Sequence, residues 1–290
     1  KGCSIIWCRG PYMTDSWREE REPDHITITP MGWVRVGLRG VPLAVVVFGC
    51  LLVLLAMRLI EWPLFGLRRP WTPYITQFVC RSAFLILGMG YTRVGTPMRG
   101  AGTVVSNHAS WLDIFALNAA KRIYFVSKSE VAAWPGIGWL ARATGTVFIK
   151  RDRREVSSQI EVFRSRLVAG HKLLFFPEGT STDGLQVLPF KPTLFAAFFD
   201  PALAKTMRLQ PVTLRYSSPI GGDLRFYGWW GDMDFAPHLL ATLAARQQGS
   251  VTVIYHPPVQ LSDYANRKVL AKALEDQVRS GLTHRVDQTL

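Results

Sequence analysis

The chain has 290 residues, 48% of them hydrophobic and 12% aromatic, which leaves room for one large domain or two modest ones and excludes disorder over most of its length. A formal net charge of +13 speaks to partners rather than to fold: nucleic acid, an anionic membrane face or acidic small substrates. Four cysteines (Cys3, Cys8, Cys50 and Cys80) show no metal-ligand spacing, which argues against a disulfide framework and fits a reducing compartment.

Residues 1–12 precede Met13, a more ordinary N-terminus, and are set aside as an artefact. The stretch to residue 30 is polar and acid-rich and reads as a flexible tail. Val41–Ile60 is apolar apart from Arg58. Twenty helical residues cover about 30 Å, the thickness of a bilayer's hydrocarbon core. Arg35, Arg39, Arg58, Arg68 and Arg69 flank it, with Trp33, Trp62 and Trp71 where an interfacial belt would lie. A weaker apolar stretch, Tyr74–Tyr91, completes a possible hairpin, so residues 31–92 are expected to form membrane-associated helices.

From Arg93 to residue 290 short apolar runs alternate with helical patterns. Strands are expected near 102–106, 122–127, 145–150, 171–176, 209–215 and 251–255. Helices are expected near 110–120, 154–169, 191–199, 237–247 and 262–281. That alternation predicts an α/β domain, αβα in layers, with a mainly parallel sheet.

The segment "VVSNHASWLDIF" (Val104–Phe115) carries chemistry. An apolar strand gives way to Asn107, His108 and Asp113 where a helix begins near Ser110. On one continuous helix His108 and Asp113 would diverge by about 140°, but a turn between them lets Asp113 accept a hydrogen bond from one ring nitrogen and leave the other as a base. A second constellation, "KLLFFPEGTSTDG" (Lys172–Gly184), puts Glu178 and Gly179 just past another strand. Loops at the carboxyl ends of strands form the ligand crevice of open α/β sheets, so the two constellations share an edge. There is no G-x-S-x-G elbow, no cysteine near His108, no phosphate-loop or dinucleotide fingerprint and no Cys/His cluster. A His–Asp base without a protein nucleophile activates an incoming hydroxyl, and an anchored basic protein makes a lipid hydroxyl the natural choice. Backbone N–H groups around Gly179 are candidate oxyanion donors.

These residues resemble the glycerolipid acyltransferases typified by 1-acylglycerol-3-phosphate acyltransferase. "NHASWLD" (Asn107–Asp113) resembles their N-H-x-x-x-x-D block; "GTVFIKR" (Gly145–Arg151), "FPEGT" (Phe176–Thr180) and "LQPVTL" (Leu209–Leu214) follow in the family's order. The resemblance implies transfer of an acyl chain from acyl-CoA or acyl carrier protein to a lysolipid hydroxyl. No resident cofactor or metal is needed. His108 would be the base and Asp113 its orienter; Asn107, Arg151, Glu178, Gly179, Thr180 and Ser181 would line the acceptor site. It also implies a bacterial inner membrane enzyme facing the cytoplasm. One departure matters: the family's third block usually ends in arginine, and here that position is Ser181. Serine offers one weak donor in place of a bidentate phosphate clamp. The run through Val187–Lys191, "VLPFK", looks more like lyso-ornithine lipid O-acyltransferases, whose acceptor carries a carboxylate that Arg151 could pair. Lysophosphatidic acid is the alternative acceptor, with Lys150, Arg153 and Arg154 supplying charge; a lipid-binding pseudoenzyme is the non-enzymatic alternative. Scattered basic residues without a recognition motif argue against nucleic acid.

Among the remaining residues, "KPTLFAAFF" (Lys191–Phe199) reads as core, and "YGWWGD" (Tyr227–Asp232) as an exposed turn able to dip into lipid. His171, His238, His256 and His284 read as structural or exposed.

Overall fold

The structure, a computed structural model, describes residues 27–134, 136–149, 156–204 and 207–283. Two helices come first. α1 runs Pro30–Phe65, entered through Thr29, whose side chain accepts from Gly32 N–H, with proline at the first helical position. α2 is Thr72–Leu87. Then follow β1 (Gly90–Val94), β2 (Gly102–Ser106), α3 (Leu112–Ala120), β3 (Tyr124–Lys128), α4 (Ile137–Thr144) and β4 (Val147–Ile149). The chain continues through α5 (Val156–Val168), β5 (Lys172–Phe175), a 3-10 helix (Pro192–Phe199), α6 (Pro201–Ala204) and β6 (Arg208–Ser217). It closes with α7 (Phe235–Ala244), β7 (Ser250–Tyr255), β8 (Val259–Gln260) and α8 (Arg267–Thr283).

The sheet order is β1-β7-β6-β2-β5-β3-β4, with β8 also on β6. Pairings β2–β5, β2–β6, β3–β5, β3–β4 and β1–β7 are parallel; β6 pairs antiparallel with β7 and β8. Alternation splits the core in two. Val104 and Leu174 face the layer of α2, α3 and α7, while Val105, Leu173 and Phe175 face α5, α8 and the 3-10 helix. On that second face a Cβ at Gly281 would collide with the Thr213 side chain, so α8 seats directly on β6.

The expected mainly parallel αβα sheet is present, with two additions. β1, unread in the sequence, pairs with β7 across Gly90↔Ser250 to Val94↔Ile254, so the boundary expected at residue 93 falls inside a strand of the sheet. α2 buries Cys80, Ala83, Phe84 and Leu87, the first, third and fourth of them in the core shared with α3 and the sheet. The Tyr227–Asp232 turn needs correction: Tyr227 and Trp230 are 1% and 2% exposed, and Trp229 packs on Phe235, so large rings that read as lipid-facing close one end of the core. Phe195 and Phe198 are buried as expected.

The α1–α2 corner is organised by one buried carboxylate. Glu61 accepts from Trp71 N–H (2.8 Å), Thr72 N–H (3.2 Å) and Thr72 Oγ1 (2.7 Å), and pairs with Arg58 at 3.0 Å. It therefore serves as the cap that α2 lacks locally, placing negative charge at a helix N-terminus. At the other end of α1, Arg35 donates to Ala244 O (2.7 Å) and Arg39 to Leu243 O and Ala245 O (2.8 and 2.6 Å) at the C-terminus of α7. The outward face between these ties is apolar and exposed, through Val41, Val45, Phe48, Leu52 and Leu59. By length and composition α1 is the one helix among the described residues able to cross a membrane.

Candidate active site

Three adjacent strands, β6, β2 and β5, bring their carboxyl ends to one edge. β2 hands over to the turn holding His108, β5 to the turn holding Glu178, and β6 carries Tyr216 one residue before its end at Ser217. The His108 ring stands on the Phe176 ring, centroids 4.0 Å apart and planes at 11°. Its Nδ1 meets Asp113 Oδ2 at 2.7 Å. The side chain of Asp113 is fully buried and that of His108 is 22% exposed.

Four donors converge on Asp113. Oδ2 also accepts from Ala109 N–H (2.8 Å) and Ser110 N–H (3.0 Å), and Oδ1 accepts from Tyr216 Oη (2.7 Å). A carboxylate surrounded by donors acts only as an acceptor, so Nδ1 of His108 is the donor to it, and in the neutral imidazole that tautomer puts the lone pair on Nε2. Asp113 reaches back to the Ser110 N–H as the acidic half of a capping box does, and the helix expected near Ser110 begins at Leu112. The turn resolves the angular objection of a continuous helix.

The peptide of His108 is fixed on both sides by the second constellation. Its N–H donates to Glu178 Oε1 (2.7 Å), and its carbonyl accepts from Thr182 N–H (2.9 Å). Glu178 Oε2 accepts from Leu188 N–H at 2.9 Å. Two residues read as acceptor-binding therefore turn inward. Glu178 is 1% exposed and spends both oxygens on backbone donors; Asn107, also 1% exposed, clamps the backbone of Leu214 with its Nδ2 at 2.9 Å and Oδ1 at 2.8 Å. The fold uses these polar groups to weld three strand ends together, because buried backbone N–H and C=O groups there need partners. Gly179 takes a φ of +77°, and its N–H closes a turn onto Phe176 O at 3.1 Å, so that N–H is committed to the turn. Thr180 and Ser181 sit half-buried on the rim. Arg151, with Lys150, Arg153 and Arg154, lies outside the described residues, as does His284.

Tyr216 and Phe176 were missed by the sequence reading. Phe176 lies in the third block but looked like one more apolar strand residue. Tyr216 becomes visible only once β6 is known to neighbour β2. Tyr216 is a positioning residue: it holds the carboxylate that holds the imidazole.

Buried groups outside the His108–Asp113 pair set an acid and an alkaline limit on stability. Burial lowers His171, stacked on Tyr124 at 4.0 Å, and His238, which accepts from Trp111 Nε1 at 2.9 Å, to about 4 each. Burial pushes Glu178 up to about 8 against its two N–H donors. Burial lowers His256 as well, so between about pH 4.5 and 6.5 the unfolded chain holds histidine protons that the native state lacks, outnumbering the one Glu178 proton held only by the native state, and stability rises with pH; from about 6.5 to 8 only the Glu178 imbalance remains and stability falls. Denaturant midpoints measured across this range are expected to peak near pH 6.5, with a slope of about 1.4 kcal/mol per pH unit on the alkaline side and one at least as steep on the acid side. A profile rising monotonically to pH 8 would contradict the assignment of Glu178.

The acyltransferase family model matches residues 93–215, which contain His108, Asp113, Glu178 and Pro211. A lyso-ornithine lipid O-acyltransferase of Rhodobacter capsulatus is 56% identical over 269 residues, 93% of this chain and 98% of that protein. One from Brucella abortus is 35% identical over 74% of this chain and 84% of its own length. The crystal structure of the 1-acyl-sn-glycerophosphate acyltransferase of Thermotoga maritima shares the fold, with a TM-score of 0.62, 21% identity and coverage of 86% and 93% of the two chains. Matched nearly end to end and with the blocks in order, the chain belongs to the lysolipid acyltransferase family typified by 1-acylglycerol-3-phosphate acyltransferase.

Proposed function

We propose that this acyltransferase esterifies the free hydroxyl of a lyso-ornithine-type aminolipid with a fatty acyl chain delivered as a thioester of acyl carrier protein or CoA, with His108 as general base. The observation that carries the reading is the 2.7 Å contact of His108 Nδ1 with Asp113, which aims a lone pair from the sheet's carboxyl edge. Nε2 takes the hydroxyl proton as the acceptor oxygen attacks the thioester carbonyl. The tetrahedral oxyanion collapses, the C–S bond breaks, and the thiolate leaves with the proton from His108. One ester and one thiol result, and the imidazole returns to its starting state. Asp113 stabilises the transient imidazolium and, tied to Tyr216, keeps the ring from turning. Glu178 and Asn107 act by holding the backbone on which this pair is built.

The acceptor preference rests on Ser181 and on the nature of the similar proteins from Rhodobacter and Brucella. Without the third-block arginine the rim loses a planar donor pair suited to a phosphate dianion. Purified enzyme offered lyso-ornithine lipid and lysophosphatidic acid with one acyl donor is expected to show a kcat/KM at least about tenfold higher for the aminolipid, the scale of one lost charge-assisted contact. A preference for lysophosphatidic acid would assign the enzyme to phosphatidic acid synthesis instead.

The setting is the cytoplasmic face of a bacterial inner membrane, where thioester donors are found. Both ends of α1 are hydrogen-bonded to the catalytic layers, at α7 and at the α2 corner. A helix tied at both ends to one body lies along the membrane rather than across it, with its exposed apolar face in one leaflet.

A further inference from the structure

Opposite the catalytic edge, at the amino ends of β2, β3 and β5, lies a cavity of about 610 Å³. Arg68, Arg69, Arg99, Lys121, Arg122 and Lys172 line it, and no carboxylate does. β2 separates it from His108, about 20 Å along the strand at 3.3 Å per residue.

The cations are arranged rather than scattered. Arg69 is anchored by Nη1 to Ala143 O at 2.7 Å, and the Arg122 guanidinium lies 4.2 Å over the Tyr74 ring. Arg68 and Arg99 are exposed, while Lys121 and Lys172 are half-buried, and none of these four is in an ion pair among the described residues. Burial, then Lys121 and Arg122, lower the Lys172 ammonium from its ordinary value, as expected for a cation crowded by like charges. Six cations around one hollow repel one another unless an anion sits among them. The lip of the hollow is apolar: Phe65, which lines it, and Trp71, packed edge-on against Phe65 at 5.2 Å, are both exposed at the α1–α2 corner. A cationic cleft with a greasy lip fits a molecule whose phosphate enters the cleft and whose chains lie along the helices.

We propose that this cleft binds the phosphate of an anionic phospholipid headgroup, seating the enzyme on the membrane at a point separate from its catalytic crevice. The site does not depend on which lysolipid is acylated. It fixes the α1–α2 corner at the depth of the headgroup phosphates, so that the catalytic edge meets the same surface in a constant orientation.

The test uses the purified full chain and two triple variants. One is Arg68→Gln, Arg99→Gln and Lys121→Gln in the cleft. The other removes as much charge elsewhere: Arg164→Gln, Arg246→Gln and Lys268→Gln, all exposed. Flotation is measured on vesicles of phosphatidylcholine with and without phosphatidylglycerol, and calorimetry with inorganic pyrophosphate is run in detergent. Each basic residue near an anionic surface contributes about fivefold to partitioning, so the cleft variant is expected to lose roughly 100-fold of its phosphatidylglycerol-dependent binding. The distal variant should lose far less, and both should keep wild-type turnover on detergent-dispersed substrates. Pyrophosphate binding that the cleft mutations abolish, with vesicle binding unchanged, would keep the phosphate chemistry but overturn the lipid as its source. Equal losses by the two variants would overturn the site, leaving only diffuse attraction by a basic protein.

Discussion

His108→Ala is expected to lower kcat for acyl transfer by roughly 10²–10⁴-fold, the share of rate that a positioned general base supplies. KM for either substrate changes little, because the lost group acts on a proton in the transition state rather than on a binding contact. The fold survives. The peptide of residue 108 keeps its bonds to Glu178 and Thr182, and Asp113 keeps three of its four donors, from Ala109, Ser110 and Tyr216. The main structural loss is the stacking of the imidazole on Phe176, a contact worth about 0.5–1.5 kcal/mol for ring pairs. Radiolabelled acyl transfer alongside thermal unfolding separates the two effects. Turnover within a factor of three of wild type would remove His108 from the chemistry and with it the mechanism proposed here.

Glu61→Ala is expected to cost about 3–5 kcal/mol, the range for breaking a buried ionic network by deleting one partner. Glu61 has no exposed surface, and its side chain serves two helices at once. Truncation strands the Trp71 and Thr72 N–H groups at the start of α2 and leaves Arg58 without its carboxylate. Each stranded donor is a desolvation cost with no compensating bond. α2 supplies Cys80, Phe84 and Leu87 to the core beneath α3, so loosening its first turn propagates into the catalytic layers. Unfolding in detergent, paired with proteolysis at the 66–71 connection, reads the effect. A midpoint unchanged from wild type would show that the corner is held by apolar packing alone. Glu61→Gln, which keeps an acceptor, should fall between the two.

Much of the catalytic layer was legible because short apolar strands ending in polar turns carry their own punctuation. β2 and β5 fall where "TVVS" and "KLLFF" placed them, and the two polar turns do meet at one edge. The parts that escaped depend on partners remote in the chain. α1 looked like a twenty-residue apolar span with basic flanks, yet it begins eleven residues earlier than Val41, at Pro30, because Arg35 and Arg39 find carbonyls at 243–245. No local pattern announces such a pairing. β1 is short and not strongly apolar, and it becomes a strand only because β7 offers it an edge. Glu178 and Asn107 were recognised as important, but their direction was not: a polar residue in a motif faces either the substrate or the fold, and only the positions of Leu188 and Leu214 decide. Tyr216 carried no signal at all in its own segment, since its role exists only across the β6–β2 boundary.

The tie between α1 and α7 has a consequence for biosynthesis. The carbonyls that receive Arg35 and Arg39 lie 204 to 209 residues downstream. At elongation rates of about 5–20 residues per second, α1 spends on the order of 10–40 s outside the ribosome before its docking surface has been synthesised. Through that interval its apolar length has only lipid or a chaperone to shield it. The helix is thus made, and must be held, before the layers that will dock against it exist.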